Sequence, residues 1–231
     1  MKTKLIQFLQ LSLCVTVLSF VPGCGSSNSD ESSIELSKGV QLEMLLLPSG
    51  LWFGKYEVTQ AQWETLMGEN PSHFGGADNP VENVSWKDCQ VFLKKLNEHP
   101  ECKKSGLTFR LPTEEEWVFA FRAGSAGRYC RLANGTEITE KTLGEVAWFE
   151  DNANKQTHPV GRKKPNAFGL YDMSGNVCEW TSTADGEFRV YRGGCWLSSA
   201  RNCEPSIRLG WHLLRRFDNL GFRLCAERKA D

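Results

Sequence analysis

Residues 109–124 read FRLPTEEEWVFAFRAG, and they hold the last regular period in the middle of the chain. Leu111-Pro112 ends a short extended piece, because proline fixes its own φ and keeps the residue before it out of helical geometry. Thr113 then predicts an N-cap, with Glu116 at the capping-box position and Trp117, Ala120 and Phe121 turned to one face of the helix that follows. Beyond Gly124 that order stops. Residues 125–187 are dominated by Gly, Asn, Pro and isolated aromatics, with no sustained period of either kind. The chain therefore predicts a mixed fold: few short helices, long irregular loops, and large aromatic side chains as anchors.

The N-terminal side agrees. VQLEMLLL (40–47) and LWFGKYEV (51–58) predict strands, with PSG (48–50) as the turn between them. In TQAQWETLMG (59–68), Thr59 and Gln62 form a capping box, Trp63, Leu66 and Met67 give one apolar face, and Gly68 stops the helix. A further helix begins after Ser85, with Trp86, Cys89, Leu93 and Leu96 near helical spacing. On the C-terminal side, FRVYRGG (188–194) and LGFRLC (220–225) predict two closing strands. Eight Trp, thirteen Phe and twenty-one Gly in 231 residues suit a loop-heavy domain pinned by aromatic rings. A formal net charge of -1 gives no reason to expect nucleic acid or another polyanion as partner.

The first 24 residues, MKTKLIQFLQLSLCVTVLSFVPGC, have a different character: Lys2 and Lys4, an apolar stretch from Leu5 to Val21, and a small residue before Cys24. This is the layout of a secretory signal, and the apolar stretch is short for a membrane span. VPGC resembles a bacterial lipobox, which implies cleavage after residue 23 and lipidation of Cys24. GSSNSDESS follows, so 24–37 is expected to be a Ser-rich tether and 38–228 one domain. Apart from Cys14 and Cys24 the chain holds seven cysteines, an odd number that cannot all pair within it. No CxxC pair with metal-ligand spacing occurs, which argues against zinc.

Six stretches occur in a particular order: GKYEVTQAQWETLMGENPSHF, DNPVENVSWKDCQVFLKKLN, FRLPTEEEWVFAFRAG, THPVGRKKPNAFGLYDMSGNVCEW, RVYRGG and LGFRL. Together they resemble the formylglycine-generating-enzyme (sulfatase-modifying-factor) domain family over nearly the whole chain after the tether. The resemblance implies an α+β fold of the C-type-lectin-like kind, in the variant of that enzyme family, with a small antiparallel sheet near the C-terminus. It also implies what an enzyme of the family needs: two reactive cysteines five residues apart that bind copper and oxidise a substrate cysteine. The matching positions here hold Ser198 and Cys203. A hydroxyl is a poor ligand for a soft metal, so the aldehyde-forming activity is not expected, and Cys203 is expected to be a buried small hydrophobe. Cys195 is a poor substitute if 193–196 continues a strand, where neighbours alternate faces.

The resemblance also implies a calcium loop at YDMSGNVCEW, with Asp172 and Glu179 as side-chain ligands and Gly175 and Val177 as main-chain ligands. Hard oxygen donors from a Gly-containing loop suit Ca²⁺. The alternative is a capping or salt-bridging pair that holds the loop without metal. Calcium is the one cofactor in view, and none is required.

Residues 192–224 also resemble the variable region of retroelement-diversified proteins of the same fold, most of all their spirochaete surface-lipoprotein members. The variable region is expected over 192–225. Trp196, Asn202, Arg208, Arg216, Phe222 and Arg223 fall at scaffold positions, with Arg192, Gly193, Gly194, Ala200, Cys203 and Gly221. The varied positions would be Leu197, Ser198, Ser199, Ile207, Leu209, Gly210, Trp211, His212, Leu214, Phe217 and Asp218. In physical terms, Trp196 and Phe222 are expected on the core face of the sheet, and Arg208, Arg216 and Arg223 on loop carbonyls that lack a ladder. Trp211, Phe217 and His212 would then be rigid anchors of the type enriched in binding hot spots, and Ser198 and Ser199 adaptable hydrogen-bonding groups. The competing reading makes 209–217 an amphipathic helix on the core, which Leu209, Leu213 and Leu214 favour and Gly210 opposes.

The expectation is a lipid-anchored, non-enzymatic protein of the outer membrane or cell surface. It would be monomeric, bind an unidentified protein or other macromolecule through its C-terminal loops, and engage no nucleic acid. A copper-dependent formylglycine-generating oxidase and an enzymatically silent envelope scaffold are the alternatives.

Overall fold

The computed structural model describes residues 30–229. The signal segment, Cys24 and the first part of the expected tether lie outside the described residues. The rest of that tether is a correction: Glu31–Ser37 forms strand β1, paired antiparallel with β2 (Val40–Leu46). ESSIELS alternates, and Ile34 and Leu36 point into the core while the residues around them face outward.

Five strands make the larger sheet, in the order β1-β2-β3-β11-β4, with β3 at Trp52–Gly54, β4 at Leu107–Arg110 and β11 at Cys225–Arg228. β3 is shorter than its apolar run predicts. At its end the Gly54 amide donates to Leu224 O and the Lys55 amide to Glu43 O, in register with β11 and β2, so ladder bonding runs one residue past the strand and then stops. The strand made last lies between two made early.

Three helices start where the caps predict. Helix α1 (Gln60–Met67) has the Thr59/Gln62 capping box and ends on Gly68 at φ 87°. Helix α2 (Trp86–Glu98) is capped by Ser85 with Asp88. The single turn α3 (Pro100–Lys104) follows, and α4 (Glu114–Arg122) has the Thr113/Glu116 box. Leu66 and Met67 are only partly buried; Trp63 carries the inward face of α1. Its ring stacks on Phe92 at 5.3 Å, and Phe222 meets both edge-on, an arrangement that adds about 0.5–1.5 kcal/mol per pair to simple burial. A second apolar cluster holds Phe53, Trp117, Phe121, Tyr129, Met173 and Cys203.

Beyond the loops, β5 (Ala147–Trp148) pairs parallel with β6 (Ser174–Gly175). The C-terminal sheet follows the order β10-β7-β8-β9, with β7 at Cys178–Asp185, β8 at Phe188–Arg192, β9 at Leu209–His212 and β10 at Leu220–Gly221. β7, β8 and β9 run antiparallel as expected, and β10 joins β7 in parallel. The stretch 209–217 is therefore an edge strand and a turn, not a helix.

Candidate ligand-binding cleft

The edge strand β9 explains the odd composition of its stretch. It pairs with β8 on one side only, and Leu209, Gly210 and Trp211 are all exposed. Trp211 is 40% exposed and Leu214 58%, values far from those of core residues. The backbone beneath them is nonetheless pinned. The Asn83 amide donates to Phe217 O at 2.8 Å, the Lys87 amide to Leu213 O at 3.3 Å, and the Arg215 amide to His212 O at 2.9 Å. The Trp211 ring leans on Phe217 at 5.6 Å, with the Arg215 guanidinium 5.8 Å from its centre.

Together these elements enclose a cleft of about 270 Å³. Leu197, Leu209, Trp211, Phe217 and Tyr191 wall it, and Cys178, Cys195, Ser198, Asn202, Asn219 and Leu220 complete its lining. Of the eleven expected varied positions, Leu197, Ser198, Leu209, Trp211 and Phe217 meet in this cleft. Leu214 and Gly210 are exposed outside it, and Ser199, Ile207, His212 and Asp218 are half-buried around it. Ser198 lines the cleft but is nearly buried, and its hydroxyl accepts the Cys195 amide at 3.1 Å. His212 Nδ1 accepts the Leu214 amide at 3.3 Å, which gives it a part in the turn.

The scaffold residues divide in a way the sequence did not predict. Phe222 is fully buried, as expected. Trp196 is only partly buried: it stands edge-on to Phe74 and donates its indole N–H to Asp218 O at 3.1 Å, bracing the cleft's margin. Asn202 is exposed. Arg208 and Arg216 bind carboxylates, not loop carbonyls. Arg208 reaches Glu114 and Asp185, and Arg216 grips Asp88 at 2.7 and 2.9 Å. Carbonyls are bound by Arg223, described below, and by Arg192, which donates to Pro205 O and Ile207 O at 2.8 Å each and pairs with Glu114. β8 ends at Arg192, and Gly193 and Gly194 follow at φ 101° and 71°. A Cβ at Gly194 would lie 2.8 Å from both Asn202 O and Cys203 Sγ, so only glycine lets the chain turn there.

That turn changes the reading of Cys195. It does not continue a strand, and strand alternation does not govern where it points. The Cys178 thiol lines the cleft beside it, Ser198 Oγ stands 3.3 Å from its sulfur, and Asn219 donates an amide hydrogen across 3.4 Å. These donors, with the Leu197 amide, lower the Cys195 pKa to about 7 against the opposing effect of burial. Cys203, by contrast, is fully buried in the second apolar cluster and burial raises its pKa, the behaviour of a small hydrophobe. All seven cysteines among the described residues are free.

Behind the cleft lies the loop expected to take calcium. Glu179 accepts Arg223 Nε through both oxygens at 2.8 and 2.7 Å, and the Trp117 indole N–H at 2.6 Å. Arg223 also donates to Gly54 O and Tyr171 O, as the carbonyl-binding role predicts. Asp172 accepts the Gly161 amide through Oδ2, and Val177 donates its amide to Glu57. Burial and the neighbouring carboxylates Asp172 and Glu179 push Glu57 well up, and burial lifts Asp172 to about 6. One buried oxygen, Asp172 Oδ1, has no hydrogen-bond partner. Calcium takes six to eight oxygens, about 2.3–2.6 Å away; this set, already engaged by Arg223, fits it poorly. Among the described residues no group of three or more His, Cys, Asp or Glu is placed to hold a metal ion. The loop has the salt-bridged form.

With this architecture in view, the comparisons fall into place. Residues 20–228 match the sulfatase-modifying factor enzyme 1-like domain, and the chain belongs to that family. Its fold is C-type-lectin-like, shared with Treponema denticola variable protein 1 at a TM-score of 0.74 and 28% identity, over 86% of this chain and 99% of that one. The chaperone protein LppX of Paenibacillus barcinonensis is 31% identical over 84% of this chain and 90% of that protein. The inactive C-alpha-formylglycine-generating enzyme 2 of Bos taurus is 34% identical over 78% of this chain and 60% of that protein.

Proposed function

We propose that this protein is a non-enzymatic binding protein, displayed at the outer surface of a cell through a lipid on Cys24, whose C-terminal cleft and apolar margin recognise a macromolecule. One observation carries the proposal: Leu197, Leu209, Trp211 and Leu214 are exposed together on an edge strand and loops whose backbone is fixed from behind. Preorganised aromatic and aliphatic anchors around a depression are the pattern of a binding hot spot. The likeness to a variable protein supports diversification of these positions, and the name of the bovine relative supports loss of the family's chemistry. Ser198 at one of the two implied thiol positions, with Cys203 outside the cleft, supports the same reading.

Four experiments test it. Copies of the gene from related strains are expected to differ mainly at the eleven proposed positions, with a near-identical template repeat and a reverse-transcriptase gene nearby. Differences spread evenly over the surface would remove diversification. A displayed-peptide selection is expected to enrich sequences that bind the wild type and not the Trp211→Ala/Phe217→Ala variant. Turnover of a cysteine-containing sulfatase peptide by the copper-reconstituted protein would instead make it an enzyme. Labelled fatty acid is expected in the wild type and absent from Cys24→Ala.

A further inference from the structure

The floor of the cleft carries chemistry that recognition does not need. Cys178 enters it from β7 and Cys195 from the turn after β8, and Asn219 links them: its carbonyl accepts the Cys178 amide at 2.8 Å and its side-chain amide donates to Cys195 Sγ at 3.4 Å. Besides Asn219, Ser198 Oγ stands 3.3 Å from the Cys195 sulfur. The Ser198 oxygen already accepts the Cys195 amide, so its own hydrogen is free to point at the sulfur. Such a set favours a thiolate on Cys195 and leaves the proton on Cys178.

We infer that Cys195 and Cys178 form a thiol–disulfide exchange centre, Cys195 attacking and Cys178 resolving, whose co-reactant is a small uncharged organic disulfide admitted by the cleft. Cys195 Sγ attacks one sulfur of the disulfide; the S–S bond breaks, and the departing thiolate takes up the proton that Cys195 released. A mixed disulfide now joins Cys195 to half of the reagent. Cys178 loses its proton and attacks Cys195 Sγ, and the second half leaves as a thiolate and is protonated. The organic disulfide is reduced by two electrons to two thiols, and the protein dithiol is oxidised to a Cys178–Cys195 disulfide.

Size and polarity select the co-reactant. Cys178 is 5% exposed and Cys195 2%, and the cleft of about 270 Å³ is their way to solvent, so a folded protein's disulfide cannot approach. The leucine and tryptophan walls favour a neutral molecule over a charged one. Product formation would also tie β7 to the stretch carrying Trp196–Ser199, stiffening one side of the cleft.

Hydroxyethyl disulfide is the probe. The full-length protein is expected to release two thiols per chain and lose two hydrogens by mass, with the crosslink mapped to Cys178 and Cys195. Cys178→Ser is expected to stop at a mixed disulfide on Cys195, and Cys195→Ser to do neither. Ser198 and Asn219 act through Cys195 as positioning residues, and Ser198→Ala is expected to move its labelling profile to higher pH. For the wild type, iodoacetamide labelling of Cys195 is expected to rise with a midpoint near about 7. That measurement needs no variant. A midpoint in the ordinary thiol range of about 8.5, or reaction no faster at Cys195 than at Cys89 or Cys102, overturns the inference. Loss of exchange with peptide capture retained would separate its failure from that of the binding reading.

Discussion

Arg223 and Arg216 belong to the same C-terminal stretch and both grip a carboxylate, yet their surroundings differ completely. Arg223 and Glu179 are sealed from solvent, at 0% and 1% side-chain exposure, with Trp117, Gly54 and Tyr171 saturating their remaining donors and acceptors. Arg216 is half-exposed and holds Asp88, which the Ser85 hydroxyl and amide also reach at the start of α2. A charge pair in water contributes little, because solvent screens it and ordering two side chains opposes it. A sealed pair is costly to make and far costlier to break, because the survivor is left charged without a partner. The first pair therefore fixes the sheet, whereas the second trims the position of a surface turn.

Removing either partner breaks the comparison open. Arg223→Ala is expected to destabilise by about 3–5 kcal/mol in chemical denaturation, and a loss below 1 kcal/mol would mean that water replaces the guanidinium. Next in size is a pH effect. Asp172 at about 6 and Glu82 at about 7 hold their protons more tightly folded than unfolded, chiefly because they are buried. Stability from these groups is complete below their unfolded pKa values, near about 4, and is lost as pH rises through 6 to 7. Asp88 runs the other way: its pKa is lowered by Arg216 and Ser85, so its contribution fades only in acid below the ordinary range. Glu82→Gln is expected to flatten the fall between pH 5 and 7, and an unchanged profile would assign that fall elsewhere. Arg216→Ala is expected to cost about 0–1 kcal/mol, less as salt is added. Smallest of all, Trp211→Ala is expected to shift stability by no more than about 0.5 kcal/mol while abolishing peptide capture; a large loss would make Trp211 a core residue.

The same contrast of local and remote interactions explains what the sequence shows of itself. The starts of α1, α2 and α4 are legible because a cap and its partner are three residues apart. Gly68 ends α1 by a backbone conformation readable from one residue. Strand β1 escaped because the serines of ESSIELS suggest a linker, while the burial of Ile34 and Leu36 depends on β2. β9 escaped for the opposite reason: an edge strand with exposed apolar residues has no inward face to give it a period. The carboxylate partners of Arg208 and Arg216 are 94 and 128 positions away, a distance no local pattern spans. Motif resemblance singled out eleven positions, of which five meet in the cleft, the nearly buried Ser198 among them. No local pattern brings Cys178 and Cys195 to one cleft, because Gly193–Gly194 reverse the chain where a strand end is expected.

One consequence of the topology concerns synthesis. β11 is made last but lies between β3 and β4, with Cys225 facing both Phe53 and Arg110. The larger sheet therefore stays split until the ribosome has passed every codon of the 192–224 stretch. A stop codon or a shifted frame in that stretch yields a chain with β3 and β4 unjoined, exposing strand edges and apolar surface that mark a product for removal. The side chains that line the cleft are all encoded upstream of the strand on which closure of the domain depends.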